Sequence, residues 1–136
     1  MKSNNNANNN PPHKGKTIAA WLLQILLAAV FISAGFAMLS GQPVMVEQFK
    51  MIGAGQWFRY ATGGIEIFSA VLLLMPRLAP AGAVLLIVTM GGAVLVHLLK
   101  IGGSPMPAVV FGCMAAALLW LRLNDAKTLL KQFTRN

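Results

Sequence analysis

The sequence predicts an all-α fold, an integral membrane four-helix bundle. Three observations predict it. Hydrophobic residues make up 57% of the 136 and charged residues only 10%, where a soluble domain carries about 25% charged. The apolar residues gather into four long runs, each close to the length of a bilayer-crossing helix. Most of the Lys and Arg lie outside the runs. The length suits one domain.

Residues 1–16 are mostly Asn, Pro and Lys. They lack apolar periodicity and cannot bury enough surface to fold, so they predict a disordered tail in which His13 is solvated. The first span is residues 17–39. A secretory signal has an apolar stretch of about 7–15 residues; this run is longer, which favours an uncleaved span. Residues 40–56 connect it to the next. Val44, Met45, Phe49 and Ile52 alternate there with Glu47, Gln48 and Lys50, a pattern that fits a short amphipathic helix on the membrane surface or a plain loop.

The second span is 57–75, closed by Pro76, which cannot continue a helical ladder. The third is 80–99, with Pro80 suited to a first turn. Lys100 to Ser104 is a glycine turn, and the fourth span is 105–123. The tail 124–136 mixes charges with Ala126, Leu129, Leu130 and Phe133, and again fits a short surface helix.

Four spans put both termini on one side. Lys2, Lys14, Lys16, Arg77, Arg122, Lys127, Lys131 and Arg135 share that side; Lys50, Arg59 and Lys100 share the other. The positive-inside rule makes the termini cytoplasmic. Trp21 and Trp120 fall at the inner boundary, and Trp57, Phe58 and Tyr60 at the outer one, the depths that amphipathic rings prefer. The net charge of +8 is thereby read as membrane orientation, not as a nucleic-acid footprint.

Close helix packing in lipid relies on small residues. The candidates are Ser33, Ala37 and Gly41 in the first span, and Gly63 and Ala70 flanking Glu66 in the second. Gly91 and Gly92 thin the third, and Ala108, Gly112 and Ala116 the fourth. The one cysteine, Cys113, lies in an apolar run and behaves as a small hydrophobe. No disulfide, metal-spaced cluster, Walker motif or Rossmann fingerprint is present. Haem held by two histidines is excluded, because His97 is the only histidine in a span.

Glu66 is the most informative residue. It lies roughly 14 Å below the outer end of its span at 1.5 Å per residue, where a charge costs about 2.5–3.5 kcal/mol on insertion scales. Arg59 stands two turns above it on the same face, and His97 lies at about the depth of Arg59. Neither touches Glu66 by simple geometry. A wet, outward-opening cavity would join the three, and could hold a polar ligand, pass protons or meet a quinone headgroup. The competing reading is structural: Glu66 as a hydrogen-bonded clasp between helices, Arg59 snorkelling to headgroups, and His97 capping carbonyls.

The order of features resembles the DoxX-like family of small four-span membrane proteins. The residues that carry it are Val30 to Phe36, then Arg59 to Glu66 with Gly63 and Glu66 in a Gly-x-x-Glu pattern, then Met75 to Ala79, and Ala93 with His97-Leu98. The resemblance covers roughly residues 18–123. It implies the four-helix architecture and a bacterial inner membrane. The family is named for a subunit of a thiosulfate–quinone oxidoreductase, which implies a redox link. Members often carry a lysine where this chain has Met38, so a Glu66–lysine pair is not available here.

Three functions follow as expectations. The first is a non-catalytic or accessory subunit of a membrane complex, with protein partners or further copies of itself. The second is a quinone-linked oxidoreductase subunit, with quinone as cofactor. The third is a small proton-coupled transporter, ranked last because few polar residues line the spans.

Overall fold

The computed structural model describes residues 14–135, and all regular structure among them is helical. The order is α1 (Lys14–Leu39), α2 (Pro43–Ile52), α3 (Gln56–Leu74), α4 (Ala79–Val96), a π-helical turn (His97–Ile101), α5 (Met106–Leu121) and α6 (Leu123–Thr134). Two helices are long and apolar enough to cross a membrane, Thr17–Leu39 and Ala79–Ile101, and Met106–Leu121 is a shorter apolar helix. The expected tail falls outside the described residues at 1–13, and so does Asn136. Lys14 to Lys16, placed in that tail by composition, form the first turn of α1. Adding residues to an existing helix is far cheaper than nucleating one.

The helix limits follow local chemistry. Met75 ends α3 in an extended conformation, φ −96 and ψ 110, as the residue before a proline must. Pro80 sits in the first turn of α4, and Pro43 in that of α2. Of the two readings of residues 40–56, the helix is the observed one. Gly53 closes α2 at φ 78, a left-handed conformation that disfavours any side chain with a Cβ.

α1 packs on α3, α3 on α4, α4 on α5, and α5 returns to α1. Each helix buries one narrow stripe. On α1 the stripe includes Ala20, Gln24, Leu27, Ala28 and Phe31; on α3 it is Arg59, Gly63, Glu66, Ser69, Ala70 and Leu73. These three- and four-residue steps are the helical repeat. Large apolar side chains such as Leu22, Phe36, Phe68 and Val88 face outward, while Gln24, Arg59, Glu66 and Ser69 are buried. That distribution reverses the water-soluble pattern. Phe31 meets Phe111 edge-on, with ring centroids 5.6 Å apart, and joins α1 to α5.

The helices approach closely where Gly63, an expected packing residue, meets Gly35, and at Gly82; neither Gly35 nor Gly82 is among the expected small residues. A Cβ on Gly35 would lie 2.7 Å from the Gly63 carbonyl oxygen, and one on Gly82 would lie 2.8 Å from that of Ser69. Of the expected stripe of Ser33, Ala37 and Gly41, only Ala37 is buried. Ser33 is exposed and its hydroxyl donates to the Ala29 carbonyl at 2.8 Å. Gly91 and Gly92 face open space, and Ala116 is exposed. Ala108 is buried and Gly112 lies against Met90. Spacing alone cannot say which way a stripe turns.

Gly35→Ala should therefore destabilise the protein by about 1–3 kcal/mol, because the new methyl meets backbone. Gly91→Ala should be neutral or stabilise by about 0.5–1 kcal/mol through helix propensity. Thermal unfolding of both variants in mild detergent checks the contrast.

Candidate functional site

The chain doubles back so that the C-terminal ends of α1 and α4, the π-helical turn and the start of α3 share one end of the molecule, and α2 lies against α3, the turn and α1. Between them is a cavity of about 320 Å³. Its walls are largely apolar, with Phe49 and Phe58 as aromatic panels whose centroids are 5.8 Å apart. Thr62, Glu66, Thr89 and His97 are among its polar residues, and α2 adds Gln48.

Glu66 is 3% exposed, and its Oε2 is buried with no hydrogen-bond partner among the described residues. The stripe on α3 that packs α1 also carries this carboxyl, so folding drives it inward. A buried, unpartnered carboxyl oxygen costs free energy unless something arrives to pair with it. Thr62 and Thr89 each donate their hydroxyl proton to a carbonyl one turn back, Phe58 and Leu85, at 2.8 Å. That leaves hydroxyl lone pairs free as acceptors. His97 opens the π-helical turn, and its Nδ1 lies 3.3 Å from the Gly102 carbonyl oxygen. The carbonyl can only accept, so Nδ1 is the donor, and a neutral ring then presents Nε2 as an acceptor.

The structure brings Glu66 and His97 to one cavity and turns Arg59 away from it. Arg59 is 4% exposed. Its Nη1 donates to the Met38 carbonyl, its Nε donates to Gln56 Oε1 at 2.8 Å, and its guanidinium lies 4.3 Å from the Tyr60 ring centroid. Met38 is in the last turn of α1, whose carbonyls lack helical partners and carry the negative end of the helix dipole. The cation is thereby committed to capping α1. The Met38 side chain lines the cavity, so the position where the resemblance implies a lysine does face the Glu66 site.

A second polar node, at the opposite end, escaped the sequence reading. Gln24 is fully buried and donates through Nε2 to the Leu73 carbonyl, in the last turn of α3. Its Oε1 accepts from Arg122 Nε at 3.0 Å and Nη2 at 2.6 Å. The Arg122 guanidinium also lies 5.7 Å from the Trp21 ring centroid. The available signal was the same as for Glu66: a long polar side chain in the middle of an apolar run.

Among the described residues no group of three or more His, Cys, Asp or Glu is placed to hold a metal ion. An all-helical chain with two helices long and apolar enough to cross a membrane, and a cavity with polar groups between helix ends, fits the helical membrane-protein class. The chain belongs to the DoxX-like family, whose model matches residues 22–122. That match runs from within α1 to the end of α5 and includes every cavity residue. No curated protein and no solved structure matches the chain.

Arg59→Ala should destabilise the protein by about 1–3 kcal/mol, because it removes a buried guanidinium's hydrogen bonds to the Met38 carbonyl and to Gln56 together with its packing. Arg59→Lys should recover only part of this, since a lysine cannot make the forked contacts of a guanidinium. Thermal unfolding of the two variants side by side tests both statements.

Proposed function

We propose that this protein crosses the bilayer four times through α1, α3, α4 and α5, and serves as a non-catalytic accessory subunit of a membrane complex that holds a small ligand in the Glu66 cavity. The observation that carries the ligand reading is the buried Glu66 carboxyl on an otherwise apolar cavity, with Oε2 unpartnered. Ionisable groups at membrane depth are functional by default hypothesis, and a cavity with convergent polar groups is the usual form of a ligand site. The four-span reading is supported by the outward apolar surface and the family.

Sidedness rests on charge. Arg77, Arg122, Lys127, Lys131 and Arg135 lie at the end of the molecule opposite the cavity, and the positive-inside rule makes that end cytoplasmic. The cavity then opens toward the outer side of a bacterial inner membrane. Partners in this reading are the bilayer and the other subunits of the complex.

A quinone-linked oxidoreductase subunit is the second reading, and the cavity bears on it in one way. Its polar groups are mainly acceptors. A quinol, with two O–H donors, matches them better than a quinone, which can only accept.

The test is purification in mild detergent, an absorbance spectrum, and mass spectrometry of the extracted small molecules. The proposal predicts a non-lipid molecule at near-stoichiometric level, lost in Glu66→Gln, with protein partners retained and no turnover by the isolated chain. A quinol or quinone in that position moves the assignment to the second reading. Phospholipid alone, with Glu66→Gln unchanged in every property, removes the ligand function.

A further inference from the structure

The donor and acceptor inventory of the cavity narrows its ligand. Thr62 and Thr89 have spent their protons on their own helices. His97 has directed its Nδ1 at the Gly102 carbonyl. When ionised, Glu66 accepts only, and its Oε2 has no partner among the described residues. The nearest buried cation in the sequence, Arg59, is held by the Met38 carbonyl and Gln56. The cavity thus presents mostly acceptors around one acidic group, with no lysine or arginine in its lining and the Gln48 amide on α2 as a neutral donor.

Such an array is complementary to a group that carries several donors and a positive charge on a compact centre. A primary ammonium has three N–H donors and no acceptor. The rest of the lining is apolar, and Phe49 and Phe58 present aromatic surface that favours both a hydrocarbon body and a nearby cation. At about 320 Å³ the space is at the small end of the range for ligand sites, about 300–1,000 Å³. We infer that the cavity between α2, α3, α4 and the π-helical turn binds a small lipophilic primary amine, with its ammonium on Glu66 and its apolar body between Phe49, Phe58 and the α4 wall. The inference rests on the reading of this cavity as a ligand site, and gives that ligand a chemical class.

Charge and donor number act separately. The carboxylate attracts any cation, and a charge-assisted N–H···O bond inside a dry cavity is roughly twice as strong as a neutral one. The threonine oxygens and the His97 ring reward N–H groups and gain nothing from a methylated nitrogen. A trimethylated amine keeps the charge and loses the donors, and an alcohol of the same shape keeps one donor and loses the charge.

Calorimetric titration of the full chain in lipid nanodiscs tests this with three probes: 2-phenylethylammonium, its N,N,N-trimethyl derivative, and 2-phenylethanol. Empty nanodiscs serve as the reference for partitioning into lipid. The primary ammonium is expected to bind the wild type at least about tenfold more tightly than either other probe. Glu66→Gln should abolish that preference. Gly92 lines the cavity, and a side chain there starts from open space. Gly92→Leu should therefore fill the cavity, weaken all three probes and leave the melting temperature intact. The probe ranking on the wild type decides the question even if Glu66→Gln fails to fold. Equal binding of alcohol and ammonium, indifferent to Glu66 but blocked by Gly92→Leu, overturns the amine assignment and leaves the ligand site standing. No binding of any probe to the folded wild type overturns both.

Discussion

The backbones of α1 and α3 meet where Gly35 faces Gly63, and much of the site depends on that approach. A Cβ on Gly63 would lie 3.0 Å from both the Gly35 carbonyl oxygen and the Met38 Cβ. Contact this close gains dispersion energy across two helices and sets the register between them. The register brings the last turn of α1 over Arg59, so the guanidinium reaches the Met38 carbonyl. Once Arg59 is bound there, it is not turned to Glu66. A glycine contact thus determines the electrostatics of a cavity on the next face of α3.

The two ends of the molecule solve the same problem differently. Helix C-termini leave carbonyls without partners, and a low-dielectric surround makes that expensive. At one end Arg59 caps α1. At the other, Gln24 caps α3 and is itself held by Arg122. Both nodes consist of side chains held by hydrogen bonds. Glu66 differs from them, because it is equally buried and its Oε2 is left without a partner. Among the described residues this oxygen is the one buried side-chain polar atom without a hydrogen-bond partner, which sets it apart from both nodes.

The π-helical turn at His97–Ile101 has a related role. A wider turn at the end of α4 breaks the regular ladder, and the Gly102 N–H closes it by donating to the His97 carbonyl at 2.9 Å. The ring of His97 is oriented by the same turn. Such turns recur at functional sites because they re-aim side chains that a regular helix would direct elsewhere. α2 completes the enclosure with Gln48, Phe49 and Ile52, so the connection that sequence reading left between helix and loop is a wall of the site.

The sequence by itself determined the helical class, the limits of each long helix to within a few residues, and the place of Glu66 on the inner stripe of its helix. These are local properties: apolar run length, proline and glycine punctuation, and a charge where a charge is costly. Gly63, Glu66 and Ala70 could be placed on one buried stripe because helical spacing alone puts them there. Tertiary structure decided the rest. It chose Gly35 over Ser33 and Gly41, gave Arg59 to a carbonyl, joined His97 to Glu66 across one cavity, and paired Gln24 with Arg122 from opposite ends of the chain. Each of these depends on the rotation and register of one helix against another. A sequence fixes which residues share a face; only packing fixes what that face meets.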